Sequence, residues 1–565
     1  MKIIKMSNSV PKLMLSFAIA LFMLTFIIIS PNDVIELPDA NSYPLYYFLV
    51  QPMTVWVVIL LTVLVAMLSP RSFHRVLAIS ILAFLMEFLP SFMMVNPWLP
   101  DQYPYLAEAY WIYLYGNISN IQYLSDVPGL GLSYGIFEMV TSLSPFIISK
   151  VFSFIQAIAV VVMMAPLSKK LVGKEALLPL FFLSFNYFKN INVFHRSNLH
   201  FTYTLIFLYL IFTIILKHQY LEWRYALASA IVFSAMVLTY PGSGFILAAI
   251  IGAYVLLYIV RKTPLTSLKL PIIIFLSIFG AWYSYVAWNQ LRIAGSISSS
   301  LMKVLRLELS FEESMTHPFS TDLTPLFRSL VYARLIIEGG VIATGFSIAL
   351  HKYIVSFFRG RDSDISLAYT LMLVSLIALT PWLLTEWSRW SFYKFSDFLL
   401  LFSLLSIFSY LNSQYRLKRN KLLSSLKILV SFVTIIALLL VPLLKYASIP
   451  YLHVTTQELL SVYFVHRYFA FGQRCYYFEY PPYVLPRLLV RGEYSNDISS
   501  IYWFENITSG LYIITDRALT RDGFYIYPKP LKARVKELES FMIMHGNKVY
   551  DNVYNRAFYL ATEEL

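Results

Sequence analysis

Apolar runs long enough to cross a lipid bilayer recur along most of this chain and limit what it can fold into. A transmembrane helix needs about 20 predominantly apolar residues. The sequence contains about thirteen runs of workable length, and 58% of its 565 residues are hydrophobic while 13% are charged. The first run lacks a small-residue cleavage site, so we predict a retained span rather than a signal peptide. The runs include Lys12–Ser30, Leu45–Ser69, Val76–Val95, Phe146–Pro166, Ala176–Phe188, Phe201–Leu216, a hairpin over Tyr225–Val260, Leu367–Thr385, Phe395–Leu411 and Leu426–Leu444.

Lysine and arginine alternate with the apolar runs and predict an orientation. They cluster in short loops, for example at Lys169, Lys170 and Lys174, and in the stretch RLKRNK. The positive-inside rule places such loops in the cytoplasm. We therefore predict a multi-pass protein of the cell membrane with a cytoplasmic N-terminus and an extracytoplasmic C-terminal segment. The net charge of +13 is explained by these loops, so no nucleic-acid partner is expected.

The predicted fold is an all-α polytopic membrane protein with a small α+β extracytoplasmic domain at its C-terminus. Residues 1–75 form a two-span hairpin, and residues 76–444 form the transmembrane core, with external loops at 96–145 and 289–328. Residues 445–565 form the C-terminal domain, because β-branched and aromatic runs such as LYIIT accompany a helical stretch there. The single cysteine, Cys475, excludes an internal disulfide and a cysteine metal cluster.

Asp101 lies just past the third apolar run and opens a predicted aromatic helix. One interpretation is a helix N-cap, with Pro104 in the first turn and the tyrosines as an interfacial belt. The other is a catalytic carboxylate beside a cavity that accepts a substrate from the membrane. Residue types alone leave both interpretations open.

Charged residues near the predicted outer ends of the spans are further candidates. Arg334 and Glu338 are four residues apart on the tenth span and share a helix face, as an ion pair or as part of a polar cavity. Glu386, Arg389 and Lys394 crowd the outer turn between spans eleven and twelve. Arginine matches phosphate oxygens bidentately, so this cluster suits a lipid phosphate, whereas simple snorkelling is the alternative.

The external tract KNINVFHRSNLH adds His195, Arg196 and His200. Two histidines five residues apart do not match the spacing of helical metal ligands, so no metal ligand is assigned and a divalent cofactor has no clear motif. A polar loop between two short spans is the alternative for each of these residues. Asp39, in the stretch ELPDANSY, rivals Asp101 as the acidic group.

Asp101 and Gln102 followed by YPYLAEAYWIYLYGNI, and then the segment PGLGLSYGIFEMVTSLSP, resemble the first large external loop of GT-C membrane glycosyltransferases. That superfamily includes oligosaccharyltransferase catalytic subunits and the mannosyltransferases that use polyprenyl-phosphate sugars. The ending GNKVYDNVYNRAFYL is similar to the tail of archaeal members, and the composition suits a thermophilic archaeon. The tract KNINVFHRSNLH lacks a carboxylate, which departs from metal-dependent oligosaccharyltransferases.

The resemblance implies an inverting glycosyltransferase on the extracytoplasmic face. Its donor is a sugar on a polyprenyl phosphate of the dolichol type, and its acceptor is a glycan, lipid or protein. Asp101 is then the base, and Arg389, with Arg334 or Lys394, holds the donor phosphate. Two other classes remain open: a polytopic lipid or glycan transporter or flippase, which should show repeated halves, and a non-catalytic membrane anchor.

Overall fold

The computed structural model describes most of the predicted membrane region and parts of the C-terminal segment. The described residues are 9–28, 53–93, 102–116, 128–172, 196–216, 223–261, 266–287, 325–359, 367–383, 398–410, 463–464, 467–468, 475–477, 498–500, 510–515, 539–551 and 555–560.

Helices make up the described residues of the predicted membrane region. In chain order they are α1 (Ser9–Ile28), α2 (Met53–Leu68), α3 (Ser72–Met93), α4 (Gln102–Tyr115), α5 (Gly129–Thr141), α6 (Pro145–Val172), α7 (Arg196–Leu216), α8 (Trp223–Thr239), α9 (Ser243–Arg261), α10 (Thr266–Tyr285), α11 (Pro325–Arg359), α12 (Leu367–Leu383) and α13 (Phe398–Tyr410).

Most of the predicted spans coincide with helices. The exceptions are the fifth, Ala176–Phe188, and the thirteenth, Leu426–Leu444, which lie outside the described residues. Three described segments are long and apolar enough to cross a membrane, namely Ile147–Leu167, Asn198–Ile215 and Leu268–Tyr285. Other helices, α2 and α8 among them, are apolar but shorter. The described part of the chain is therefore largely helical and carries several helices suited to a membrane.

One large apolar core joins the helices of the bundle, with a smaller cluster at one end. The large core includes Phe207, Phe233 and Phe275, whose ring centroids lie 5.0–5.5 Å apart. The smaller cluster joins α4 and α5 to the first turns of α6 and α7, through residues such as Leu106 and Ile148. This smaller cluster surrounds the candidate site.

The stretch TYPGSG forms a turn between α8 and α9, as its composition predicts. The N–H of Ser243 donates to the carbonyl of Tyr240 at 3.2 Å, and the N–H of Gly244 donates to that of Pro241 at 3.2 Å. A Cβ on Gly242 would lie 2.7 Å from the Tyr240 ring and 3.3 Å from Phe398. Glycine is therefore required for these two rings to lie against the turn.

Helices α11 and α13 pack in parallel. A Cβ on Gly345 would lie 2.6 Å from Cα of Ser403, and the Ser406 hydroxyl donates to the Gly345 carbonyl at 3.0 Å. The ammonium of Lys352 lies 5.4 Å from the ring centroid of Tyr410. From the first contact to the last, the chain advances from Gly345 to Lys352 on α11 and from Ser403 to Tyr410 on α13, which is the same number of residues. The two helices therefore run in the same direction.

Five strands in the C-terminal segment form one mixed sheet. They are β1 (Cys475–Tyr477), β2 (Ile498–Ser500), β3 (Gly510–Thr515), β4 (Asn547–Asp551) and β5 (Asn555–Leu560), in the order β2-β1-β3-β5-β4. Strand β1 pairs in parallel with β2 and β3, with Cys475 opposite Ile498 and Leu511. Strand β5 pairs antiparallel with β3 and β4, and a bulge interrupts its pairing with β4. Whether this segment is a separate α+β domain stays a prediction.

Candidate functional site

Helix α4 runs from Gln102, the residue after Asp101, to Tyr115, and Gly116 follows it. Pro104 lies in the first turn, where the missing backbone N–H costs no helical hydrogen bond. Gly116 has φ +66° and donates its N–H to the Ile112 carbonyl at 2.8 Å, which ends the helix in the left-handed conformation that glycine favours. The aromatic stretch behind Asp101 is therefore a short helix that ends at a glycine.

The carboxyl group of Glu108 is buried between α4 and α5. Its side chain is 1% exposed, and its Oε1 makes no hydrogen bond to the described residues. A Cβ on Gly131 would lie 2.5 Å from both Cγ and Cδ of Glu108, so only glycine leaves room for this side chain. Four residues further on, a Cβ on Gly135 would lie 2.6 Å from Cγ2 of Ile112. The contact partner moves from Glu108 to Ile112 as the glycine moves from Gly131 to Gly135, so α4 and α5 run in parallel. The two helices meet along the Gly131-x-x-x-Gly135 face of α5.

Arg196, the first residue of α7, is the charged group that acts on Glu108. Its guanidinium carbon lies 5.9 Å from the ring centroid of Tyr105 on α4 and 5.8 Å from that of Tyr240 in the α8–α9 turn. Such distances allow a cation–π interaction with each ring. Burial raises the pKa of Glu108 well above its ordinary value, and the positive charge of Arg196 opposes this shift only in part. Burial therefore favours the neutral form of Glu108 relative to an exposed glutamate.

His200 lies one turn further along α7 and is fully buried among aromatic rings. Its ring centroid is 5.3 Å from that of Tyr240 and 5.6 Å from that of Phe398, which opens α13. Tyr240 therefore contacts both Arg196 and His200. The start of α13 meets the starts of α7 and α9 at this end of the bundle.

Tyr134 and Glu138 are two further buried side chains of α5. Tyr134 is buried with its ring centroid 4.5 Å from that of Phe152 on α6, and burial raises the pKa of its hydroxyl well above the ordinary value. Glu138 is 3% exposed, and burial raises the pKa of its carboxyl to about 7. Its negative charge also raises the pKa of the Tyr110 hydroxyl, after the larger effect of that hydroxyl's own burial. Both acids of the α4–α5 pair (residues 102–116 and 128–141) are thus buried.

Glu338 lies at the same end of the bundle as His200. It precedes Gly345 by seven residues on α11, and Gly345 lies level with Ser403 on the parallel helix α13. Glu338 therefore lies about two residues before the level of Phe398, which is about 3 Å at the rise of about 1.5 Å per residue. Its side chain is 7% exposed. Arg334 lies one turn earlier on α11, and its side chain is outside the described residues.

No family model matches the chain, and a search of curated proteins finds no match. Among the residues that the structure describes, no group of three or more His, Cys, Asp or Glu side chains is placed to hold a metal ion.

The structure brings together two segments that the sequence singled out separately. The helix behind Asp101 and the tract HRSNLH meet where the Arg196 guanidinium lies over the Tyr105 ring. The charge of Arg196 also acts on Glu108, and His200 lies in the next turn of α7. The predicted site residues Asp39, Asp101, His195, Glu386, Arg389 and Lys394 lie outside the described residues.

Sequence reasoning did not single out Glu108, Tyr105 or Tyr240 as site residues. Glu108 did leave a signal, since it is the only charged residue in the fourteen residues of α4. Tyr240 left none, because its role depends on a contact with α7. The arrangement places a buried carboxyl, which donates one hydrogen bond in its neutral form, within the electrostatic reach of a guanidinium, which donates several hydrogen bonds to oxygen anions.

Proposed function

We propose that this protein is a membrane glycosyltransferase that moves a sugar, with inversion, from a polyprenyl-phosphate donor to an acceptor on the extracytoplasmic face. The observation that supports the proposal most strongly is the burial of the Glu108 carboxyl beside Arg196, on the helix that starts at the residue after Asp101. The resemblance of this helix and of α5 to the first external loop of GT-C enzymes supports it independently.

In this proposal, Arg196 binds the donor phosphate. In the transition state, negative charge accumulates on the departing phosphate, and a positioned guanidinium stabilises it. The rings of Tyr105 and Tyr240, at 5.9 and 5.8 Å, restrict where the guanidinium can lie. Arg389, Lys394 and Arg334 remain proposed contributors, as the sequence suggested.

Glu108 and Asp101 receive different roles because their surroundings differ. The buried Glu108, in its neutral form, donates a hydrogen bond to the donor or positions Arg196. Asp101 acts as the base that takes the proton from the acceptor, a step that contributes on the order of a hundredfold to ten-thousandfold in rate. Single displacement at the anomeric carbon gives inversion without a covalent glycosyl enzyme.

The proposal includes the finer features expected from the sequence. These are about thirteen spans, a cytoplasmic N-terminus and an extracytoplasmic α+β domain at residues 445–565. The order of the C-terminal sheet, β2-β1-β3-β5-β4, supports that domain. Ring contacts at the starts of α7, α9 and α13, which share one end of the bundle, support the predicted alternation of the spans.

The test is mass spectrometry of lipid-linked sugars and surface glycans in cells that lack this protein. We expect a truncated glycan and an accumulated lipid-linked donor, both restored by the wild-type protein. Asp101→Asn and Glu108→Gln should each fail to restore them. Arg224→Lys is the control, because Arg224 also lies over an aromatic ring, that of Trp223 at 5.9 Å, but at the start of α8, away from the site. Unchanged glycans and carriers in the deletion strain would exclude the glycosyltransferase and leave a lipid or glycan transporter to be tested.

A further inference from the structure

The α4–α5 pair buries its charged side chains and exposes apolar ones, which is the reverse of what is expected for helices in water. Its acids, Glu108 and Glu138, are 1% and 3% exposed. Its outer face instead exposes six large apolar or aromatic side chains: Tyr113, Leu114, Tyr115, Ile136, Met139 and Val140. Val140 alone is 79% exposed. Helices that face water place their charges outside and their apolar side chains inside.

Two exposed hydroxyl groups of α5 are satisfied within their own helix. The Ser133 hydroxyl donates to the Gly129 carbonyl at 2.7 Å, and the Thr141 hydroxyl donates to the Phe137 carbonyl at 2.7 Å. Residues 102–116 and 128–144 contain no lysine, arginine or aspartate, and no glutamate besides the two buried ones. The outer face therefore carries no charge. Its remaining hydroxyls belong to Tyr113 and Tyr115, which lie at the end of α4 and suit the headgroup level, whereas the α5 part of the face pays little for apolar surroundings.

The α4–α5 pair leads directly into a membrane helix. Helix α6 follows α5 after only residues 142–144, and it contains one of the three described segments apolar and long enough to cross a membrane. Its exposed side chains include Ile147, Ile155 and Val162, each about half exposed and close to one helix face. Lipid that covers this side of α6 is in a position to cover the outer face of α5 as well.

We infer that the outer face of the α4–α5 pair lies at the membrane interface and contacts lipid, although this pair belongs to the segment predicted to be an external loop. The aromatic residues fit the headgroup level, where tyrosine and tryptophan are enriched. The aliphatic residues of α5 contact the upper part of the acyl chains. This inference does not rest on the proposed function.

The single cysteine of the chain makes a direct test practical. In the full-length Cys475→Ser protein, one cysteine is introduced at a time and spin-labelled, and the purified protein is reconstituted into phosphatidylcholine vesicles. The outer-face variants are Val140→Cys and Met139→Cys. Val162→Cys, on the exposed side of α6, is the lipid control, and Lys548→Cys, on exposed β4, is the water control. Collision rates with oxygen, which concentrates in lipid, and with a nickel chelate, which stays in water, are then measured.

Labels at positions 139 and 140 should resemble the label at 162, with oxygen collisions several-fold above those of position 548 and nickel collisions several-fold below. Nickel accessibility equal to that of position 548 would overturn the inference, because the face would lie in water. Exclusion of both reagents would also overturn it, because a second copy or another protein surface would then cover the face. Two adjacent outer-face positions guard against a variant that does not fold.

Discussion

Gly131 and Glu108 are in direct contact across the α4–α5 interface, since a Cβ on Gly131 would lie 2.5 Å from Cδ of Glu108. This contact joins the α5 segment GLSYG to the helix behind Asp101, and Arg196 acts on the same carboxyl. The geometry of the candidate site therefore depends on the absence of one methyl group.

Gly131→Ala should destabilise the protein and abolish function together. The new methyl group collides with a buried side chain, and overpacking of this kind costs about 1–3 kcal/mol. The measurement is the thermal midpoint in detergent, together with restoration of the glycan in the deletion strain. Gly280→Ala is the matched control, because a Cβ there meets nothing within 4 Å.

The double variant Gly131→Ala with Glu108→Ala separates packing from chemistry. Removal of the Glu108 carboxyl makes room for the methyl group, so we expect the two destabilising effects to be less than additive. Function should stay lost, since the acid is absent. Restored function in the double variant would show that Glu108 serves packing only.

Arg196→Lys should lower the rate of glycan restoration by on the order of a hundredfold, the loss seen when one donor to a developing oxyanion is removed. Lysine keeps the positive charge but loses the planar fork that matches phosphate and stacks on rings. The measurement is the initial rate at which the missing glycan reappears after induced expression, with Arg224→Lys compared at equal protein level. Equal rates for the two variants would remove Arg196 from the proposed mechanism.

Stability should fall as the pH rises through the range set by Glu138. Its pKa is raised from 4.5 to about 7, so between these values the folded protein holds a proton that the unfolded chain has released. The slope of the unfolding free energy with pH is then negative, and the total loss is at most about 3 kcal/mol. The thermal midpoint of the wild-type protein should therefore decrease from pH 5 to pH 7 more than that of Glu138→Gln. Parallel curves for the two proteins would contradict the prediction.

Gly345→Ala should be more damaging than Gly340→Ala on the same helix. A Cβ at Gly345 would lie 2.6 Å from Cα and 2.8 Å from the carbonyl oxygen of Ser403, and backbone atoms cannot move aside as a flexible side chain can. A Cβ at Gly340 meets nothing within 4 Å, and alanine favours the helix by up to about 1 kcal/mol. Thermal midpoints should shift in opposite directions. A stable, active Gly345→Ala protein would show that α11 and α13 are not in close contact.

The helices could be predicted from the sequence because membrane helices depend on local composition. The run Phe201–Leu216 and the turn TYPGSG are examples, and both lie where the alternation of apolar and basic segments placed them. The start of α7 is different, because Arg196 and His200 were assigned to a loop and instead form the first turn and a half of the helix. Their polar character misled the prediction, since contacts with Tyr105 and Tyr240 accommodate it.

The site itself could be predicted only in outline. The helix behind Asp101 and the tract HRSNLH were both assigned to the outer side, which is compatible with the contact between Tyr105 and Arg196. The acid that meets Arg196 was missed, because its position depends on the Gly131–Gly135 face bringing two parallel helices together. No local pattern reports a contact of that kind. A lone glutamate among aromatic residues was the available signal.

The parallel contact between α11 and α13 constrains the order in which the protein can be assembled. The carbonyl of Gly345 receives its hydrogen bond from Ser406, 61 residues later in the chain. At the ribosome's rate of about 5–20 residues per second, that partner is synthesised roughly 3–12 s after the glycine. Helix α12, which packs against α11 through the contact of Tyr353 with Thr370, emerges in the interval. The face of α11 that receives α13 therefore lacks this partner while α12 is synthesised, and it gains the partner only when α13 follows.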